Sequence, residues 1–345
     1  MAENNEDIPT LNDGPTQDPP ARSFDPEQMV RCDECLRANP PTRANCLYCG
    51  TALPVQPSTV VLQKPTLRPL EKWEHGYNII HLPSGATLSE SSVAEVANFL
   101  QLETEDLRRI VSAETPLPLA RTSGKDEAAL IEERLKAAGI NSLTVPDTSL
   151  GLDSPLKLRA LEFREDGFAA HQSPHLPPIE ISWSDLVLVV SGRITRKRVE
   201  LTEERKRREN RVLEADQFFA DESVLHLFTS HANAPFLIAS GSFDFSCLAE
   251  TKRLVAAENL SLLVDAVREK ASAITHDQAY NSLRKTLEPV WKSEQQNESK
   301  GLRRGRPGKL NLSSATETSN ESQFSRYARL RYYLLTHDQI GGVDA

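Results

Sequence analysis

Four of the chain's five cysteines, Cys32, Cys35, Cys46 and Cys49, fall within CDECLRANPPTRANCLYCG as two Cys-x2-Cys pairs separated by ten residues. Two such knuckles joined by a short loop bring four thiolates to the corners of one tetrahedron, the arrangement that suits zinc. A disulfide clasp or an iron–sulfur site would use the same residues. A reducing cytosol disfavours the first, and a redox Cys-x2-Cys has no reason to be doubled. The intervening RANPPTRAN is polar and proline-rich and builds no core of its own. Metal binding must then supply most of the folding energy, on the order of 10 kcal/mol. The expected cofactor is Zn2+. The fifth cysteine, Cys247, stands alone in SGSFDFSCL and is expected to be a small buried residue.

The pattern Cys32-x2-Cys35-x3-Asn39-x6-Cys46-x2-Cys49 resembles the Ran-binding-protein-type zinc fingers, inner asparagine included, and is similar to the broader bacterial zinc ribbons. Some fingers of that type bind single-stranded RNA or ubiquitin, and a tryptophan before the first cysteine supports base stacking. Val30 and Arg31 occupy that region here, so the aromatic platform is missing. Arg37 and Arg43 read as solvated loop charges, with phosphate contact as the alternative.

Two further stretches carry charge that could do work. RITRKRVELTEERKRRENR holds nine basic residues against four acidic ones, with Glu203–Arg207 and Glu204–Arg208 at helical spacing behind Thr202 as N-cap. That is the pattern of a solvated, ion-paired helix, with an acidic-partner or nucleic-acid surface as the alternative. GLRRGRPGKL contains Arg304-Gly305-Arg306-Pro307, which resembles an AT-hook core. The resemblance implies that Arg304 and Arg306 enter a narrow A·T-rich minor groove, where negative potential concentrates. Enzymatic patterns fare poorly: no HExxH, GxSxG, Walker A or GxGxxG is present, and the histidines are scattered, His171 and His175 included. Asp244 is expected to serve a turn.

The elements that carry these residues follow from periodicity. Residues 1–28 are acidic, polar and proline-bearing and are expected to be a disordered tail, 29–53 the zinc ribbon, and 54–72 a linker. Over 73–148, strands YNIIHL, LPLART and SLTV alternate with helices. Ser92 with Glu95 forms a capping box ahead of Val93, Val96, Ala97 and Leu100 on one face. Leu107, Ile110 and Val111 line a short second helix. Ser123 caps a third helix carrying Ala128, Ile131, Leu135 and Ala138, stopped by Gly139. This β-α-α-β-α-β order resembles the C-terminal domain of the bacterial ribosomal stalk protein, which recruits translation GTPases through lysine-rich helices. The matching positions, SSVAEVANFLQLETEDLRRI, are acidic, so the resemblance implies the fold and not that role.

Residues 155–271 hold about seven strands, opening on a hairpin at Asp166-Gly167, then a helix with Leu260, Leu263, Val264 and Val267 inward. That layout resembles a pleckstrin-homology-like barrel. Its first hairpin, FREDGF, has one arginine against two acids, which disfavours anionic lipid. A helical extension is expected over 272–295 and a basic, polar linker over 296–318. A terminal helix over 319–337, beginning at Asn320, turns Phe324, Tyr327, Leu330 and Leu334 to one side and leaves Tyr332 and Tyr333 exposed.

At 345 residues the chain has room for two or three domains of about 150 residues each. A net charge of −9 argues against wholesale nucleic-acid or membrane binding. No apolar run reaches the roughly 18 residues of a membrane span, and MAENNEDIPTLNDGP lacks the pattern of a signal peptide. The expectation is a multidomain α+β protein, cytoplasmic and non-catalytic, acting as an adaptor or regulator on a protein partner. The alternative is a nucleic-acid-associated regulator using the finger and the RGRP segment.

Overall fold

The computed structural model describes residues 24, 29–43, 45–54, 65, 67–68, 70, 74–84, 88–150, 154–205, 210–230, 234–304 and 310–341, and of 203–205, 210–214, 300–304, 310–312 and 338–341 the backbone alone. The chain divides into two compact units, Met1–Lys64 and Pro65–Ala345. The expected tail and the 54–72 linker fall almost wholly outside the described residues. In the first unit, strands β1 (Val30–Arg31) and β2 (Ala38–Asn39) pair antiparallel. Its core is Val30, Cys32, Cys46 and Leu53.

The second unit is mixed α+β. Its first part runs β3 (Tyr77–His81), α1 (Glu90–Leu100), α2 (Thr104–Val111), β4 (Leu117–Thr122), α3 (Lys125–Ala137) and β5 (Ser142–Pro146). The strands form an antiparallel sheet in the order β4-β3-β5. Ile79 and Ile80 of the central strand share a core with Val93, Val96, Leu107, Ile110, Ile131 and Leu135 of the helices. The apolar stripes fall where helical spacing requires, but two starts differ. Ser89, not Ser92, caps α1, its hydroxyl accepting from the Ser92 amide at 3.2 Å. Gly124, not Ser123, precedes α3. Gly139 ends that region at φ +79°, a conformation glycine adopts without cost.

Next come β6 (Leu156–Lys157), β7 (Ala160–Phe163), β8 (Gly167–His171), β9 (Ile179–Ser182), β10 (Leu186–Arg205), β11 (Asn210–Thr229), β12 (Phe236–Ala239) and α4 (Ala256–Lys270). Beyond α4 lie β13 (Thr275–Asp277), α5 (Tyr280–Leu287), β14 (Glu294–Arg304), β15 (Leu310–Ser319) and α6 (Glu321–Gly341). Strands β7-β8-β9 form one sheet; the other, curled into a half-barrel, runs β14-β15-β10-β11-β12-β6 with β13 beside β10. Alternation along β10 and β11 serves two cores at once. Leu188, Val190, Val224 and Phe228 join the core of β3–β5 and α6. Val189, Leu225 and Leu227 face Phe168, Trp183, Phe236 and the inward side of α4, including Leu260, Leu263, Val264 and Val267. Residues 73–148 and 155–271 therefore meet across a shared two-strand wall.

Several expectations are corrected. The second half of the basic run is not helical where described: Thr202–Arg205 continue β10, and Asn210 and Arg211 open β11. The run's cations find acids across the sheet: Arg198 lies 3.6 Å from Glu298 and 3.7 Å from Glu317, and Arg193 lies 2.9 Å from Asp221. The stretch expected as a 296–318 linker is strand where described: β14 and β15 pair antiparallel, and β15 pairs with β10 from Arg196↔Ser319 to Arg205↔Leu310. A polar strand needs no buried face when a neighbour supplies its backbone partners. Tyr332 is not left exposed: its ring stacks on Phe228 at 4.9 Å and its hydroxyl donates to the Thr229 carbonyl at 3.0 Å. The 272–295 stretch also contains a strand, β13, besides α5.

Helix α6 packs where expected, with Phe324, Tyr327, Leu330 and Leu334 buried. Gly192 is what lets it approach, since a Cβ there would lie 2.2 Å from the Phe324 ring. A buried polar chain ties the parts together. Trp291 donates to Asn78 at 2.9 Å, Asn78 donates to Asp147 at 2.9 Å, and Gln323 donates to the Trp291 carbonyl at 2.6 Å.

Candidate metal centre

Both Cys-x2-Cys pairs fold into the same knuckle. In the first, the Leu36 amide donates to the Cys32 carbonyl at 2.9 Å, and the Cys32 amide to the Arg37 carbonyl at 3.0 Å. In the second, the Gly50 amide donates to the Cys46 carbonyl at 3.1 Å, and the Cys46 amide to the Thr51 carbonyl at 2.8 Å. Each turn needs a left-handed residue just after its second cysteine, Leu36 at φ +58° and Gly50 at φ +77°. Glycine fills the second without penalty, whereas leucine is strained in the first.

The knuckles bring the four sulfurs within 4.8 Å of one another. Cys32 Sγ and Cys49 Sγ are 3.5 Å apart, as are Cys35 Sγ and Cys46 Sγ. A disulfide needs about 2.05 Å, and all four thiols are free. A tetrahedron of bonds of about 2.3 Å has edges slightly under 4 Å, so the spacing fits one ion the size of zinc. No second group of three or more His, Cys, Asp or Glu able to share an ion occurs among the described residues.

Burial opposes ionisation of Cys46, yet the Cys49 and Tyr48 amides and the Cys35 thiol outweigh it and bring the group down to about 6. The Arg37 amide favours a Cys35 thiolate, but burial and the other three thiols push it up to about 12. Cys49 is lowered by Thr51, chiefly its side chain and then its amide. Cys46 and Cys49 thus ionise more readily while Cys35 is held back by its neighbours, a conflict that a divalent cation would remove.

Asn39 links the halves. Fully buried, it donates through Nδ2 to the Arg37 carbonyl at 2.9 Å and to Cys46 Sγ at 3.5 Å, and its Oδ1 accepts from the Leu47 amide at 2.8 Å. One side chain thus spans both knuckles and supports the Cys46 sulfur from behind.

Sequence reasoning missed the module's outer surface. Leu36, Leu47 and Tyr48 are 65%, 52% and 56% exposed, and the Arg37 guanidinium lies 4.7 Å from the Tyr48 ring centroid. The signal was CLYC: two large residues inside a knuckle too small to bury them. Arg43 is exposed. Arg304 ends β14 opposite Leu310, and Arg306 lies outside the described residues, as does the rest of the RGRP segment. Cys247 is half-buried against the half-barrel core, where burial pushes its thiol up to about 11. Asp244 accepts from the Ser246 amide at 3.0 Å and caps a short turn. No helix among the described residues is long and apolar enough to cross a membrane.

Comparison of the chain with protein-family models, with curated proteins and with solved structures finds no match.

Proposed function

We propose that Cys32, Cys35, Cys46 and Cys49 hold one Zn2+, and that the module so folded is a protein-contact surface of a non-catalytic, cytoplasmic adaptor or regulator. The observation that carries this reading is the exposure of Leu36, Leu47 and Tyr48 on a module whose core is four residues. Zinc would neutralise the thiolates and join the knuckles. Its role is structural, because four cysteines leave no coordination position for water or substrate. Large side chains kept in water on so small a body are costly unless a partner covers them.

The layout of the second unit supports two finer likenesses. The β-α-α-β-α-β order favours a stalk-protein-like domain. The seven strands β6–β12 followed by α4 favour a pleckstrin-homology-like barrel that shares its wall with that domain. Both would act here as scaffolds for protein contact.

A second reading rests on Tyr48. An exposed ring with a guanidinium beside it is also a platform for a nucleobase, and Arg304 and Arg306 could add phosphate or minor-groove contacts.

Metal analysis of the purified full-length chain should find about one zinc per chain, absent from Cys32→Ser/Cys35→Ser. Proteins crosslinked in cells by the wild type should be lost with Leu47→Ser/Tyr48→Ala and be indifferent to nuclease. Equal crosslinking by both chains would overturn the surface assignment. Retention that vanishes with nuclease and falls steeply with salt would favour the nucleic-acid reading.

A further inference from the structure

The second unit contains a cleft of about 510 Å³ between the β3–β5 layer and the start of α6. That volume lies in the usual range for small-molecule sites. One wall is apolar, built from Leu70, Leu102, Leu119 and Val290. The other is cationic, with Arg68, Arg121, Lys292 and Arg326 facing a single carboxylate, Glu294.

Two of these cations are already matched. Arg68 pairs with Glu74, and Arg121 with the buried Asp147. Arg326 and Lys292 make no ion pair or hydrogen bond with any described residue. Arg326 is half-buried on α6, and burial and then the neighbouring Arg121 hold it below the ordinary arginine value. Asp147 and Glu294 oppose that shift through space without bonding to it. A half-buried guanidinium with no bonded acceptor gains from an anion that supplies one. The flat guanidinium suits the two oxygens of a carboxylate, and the apolar wall calls for a hydrocarbon body.

We propose that this cleft binds an organic carboxylate with an apolar tail, its carboxylate on Arg326 and Lys292 and its tail against Leu102, Leu119 and Val290. The guanidinium donates a charge-assisted pair of hydrogen bonds to the two carboxylate oxygens. The ligand would join α6 to the β3–β5 layer and so stabilise the unit that contains both.

Octanoate is a suitable probe, titrated calorimetrically into the full-length, metal-loaded protein, with acetate and 1-octanol as controls for charge alone and tail alone. Octanoate should bind at one site and raise the midpoint of thermal unfolding. Arg326→Gln should weaken it roughly tenfold to a hundredfold, the loss expected for a charge-assisted hydrogen bond. Lys292→Gln, at an exposed position and therefore safe for folding, should weaken it less. Leu254→Ser removes a fully exposed leucine on the α4 side of the half-barrel and should change nothing. Failure of octanoate to bind, equal binding by Arg326→Gln and Lys292→Gln, or equal binding of octanol or of acetate would each overturn the proposal. Loss of octanoate binding in Leu254→Ser would also do so, by assigning it to the exposed patch instead.

Discussion

The two units of this chain solve the problem of staying folded in opposite ways. The cysteine module has two strands of two residues each and a core of Val30, Cys32, Cys46 and Leu53, two of which belong to the cysteine cluster itself. The second unit has two apolar clusters on either side of the β10–β11 wall, filled by large groups such as Trp291, Phe324, Phe168 and Trp183. Burial of that extent outweighs chain entropy without help; four residues do not. The comparison teaches where each unit would keep its stability: in the one ion proposed for the cysteine cluster, or spread over many contacts.

Removing the metal should break the comparison most sharply. A strong chelator, or Cys32→Ser/Cys35→Ser, is expected to cost the module on the order of 10 kcal/mol and unfold it completely. Amide exchange over 30–53 should become fast while protection over β3–β15 stays unchanged. A module that keeps its protection without metal would mean that its small core suffices, and the contrast between the units would fall.

The next effect lies in the second unit. Asp147 is buried, and its carboxylate accepts from the Gly76 amide at 2.7 Å, from Asn78 at 2.9 Å and from Arg121. Burial alone would raise its pKa; the Arg121 guanidinium, Asn78 and the Gly76 amide together outweigh that and hold it below the usual carboxylate value. A depressed native pKa contributes stability that is complete above the unfolded value of about 4 and is lost as pH falls through the native one. Asp147→Asn leaves Arg121 without its partner and should cost about 3 kcal/mol at neutral pH. It should also flatten the acid limb of the stability curve, measured by urea unfolding from pH 6 downward. An unchanged acid limb would assign the acid sensitivity to other carboxylates.

How far the sequence was legible follows the same division. The four-cysteine cluster could be read because its sulfurs and Asn39 lie within one short segment, so spacing alone approximates the geometry. Helices α1–α4 and α6 could be read from stripes such as Val93/Val96/Leu100 and Phe324/Tyr327/Leu330. The end of β10 beyond Leu201 and the first half of β11 could not. Glu203–Arg207 and Glu204–Arg208 satisfy a helix locally, while what makes 202–205 a strand is a ladder to residues 310–313, more than a hundred positions away. SSATETS reads as linker for the same reason: its backbone partners, and the arginines its Glu317 meets, are invisible to any local window. Leu36, Leu47 and Tyr48 stand out only once the size of the module's core is known, because apolar type leads to burial only where there is a core to enter.

Within the metal module, Asn39→Ala should have a smaller effect than loss of a ligand. It removes the bridge to the Leu47 amide and the Arg37 carbonyl while leaving all four sulfurs, and support of that kind is worth roughly tenfold to a hundredfold in metal affinity. Competition with a chromogenic zinc chelator measures it. An unaltered affinity would show that the knuckles are positioned by their own turns alone.

The smallest change separates stability from the proposed surface. Leu36 and Gly50 occupy equivalent places in the two knuckles, both left-handed, yet only one is glycine. Leu36 is 65% exposed, so Leu36→Gly gives up little packing and relieves a strained backbone, a gain of about 1 kcal/mol. Zinc should bind about fivefold tighter, as that energy converts to affinity. Gly50→Ala should lose a similar amount by imposing on the second knuckle the strain already present in the first. If Leu36 were there only to fill space, the tighter module would crosslink its partners at least as well as the wild type. If it is there to be covered, Leu36→Gly will hold metal better and bind partners worse. That opposite movement of two readouts in one variant is what a residue kept strained for contact predicts.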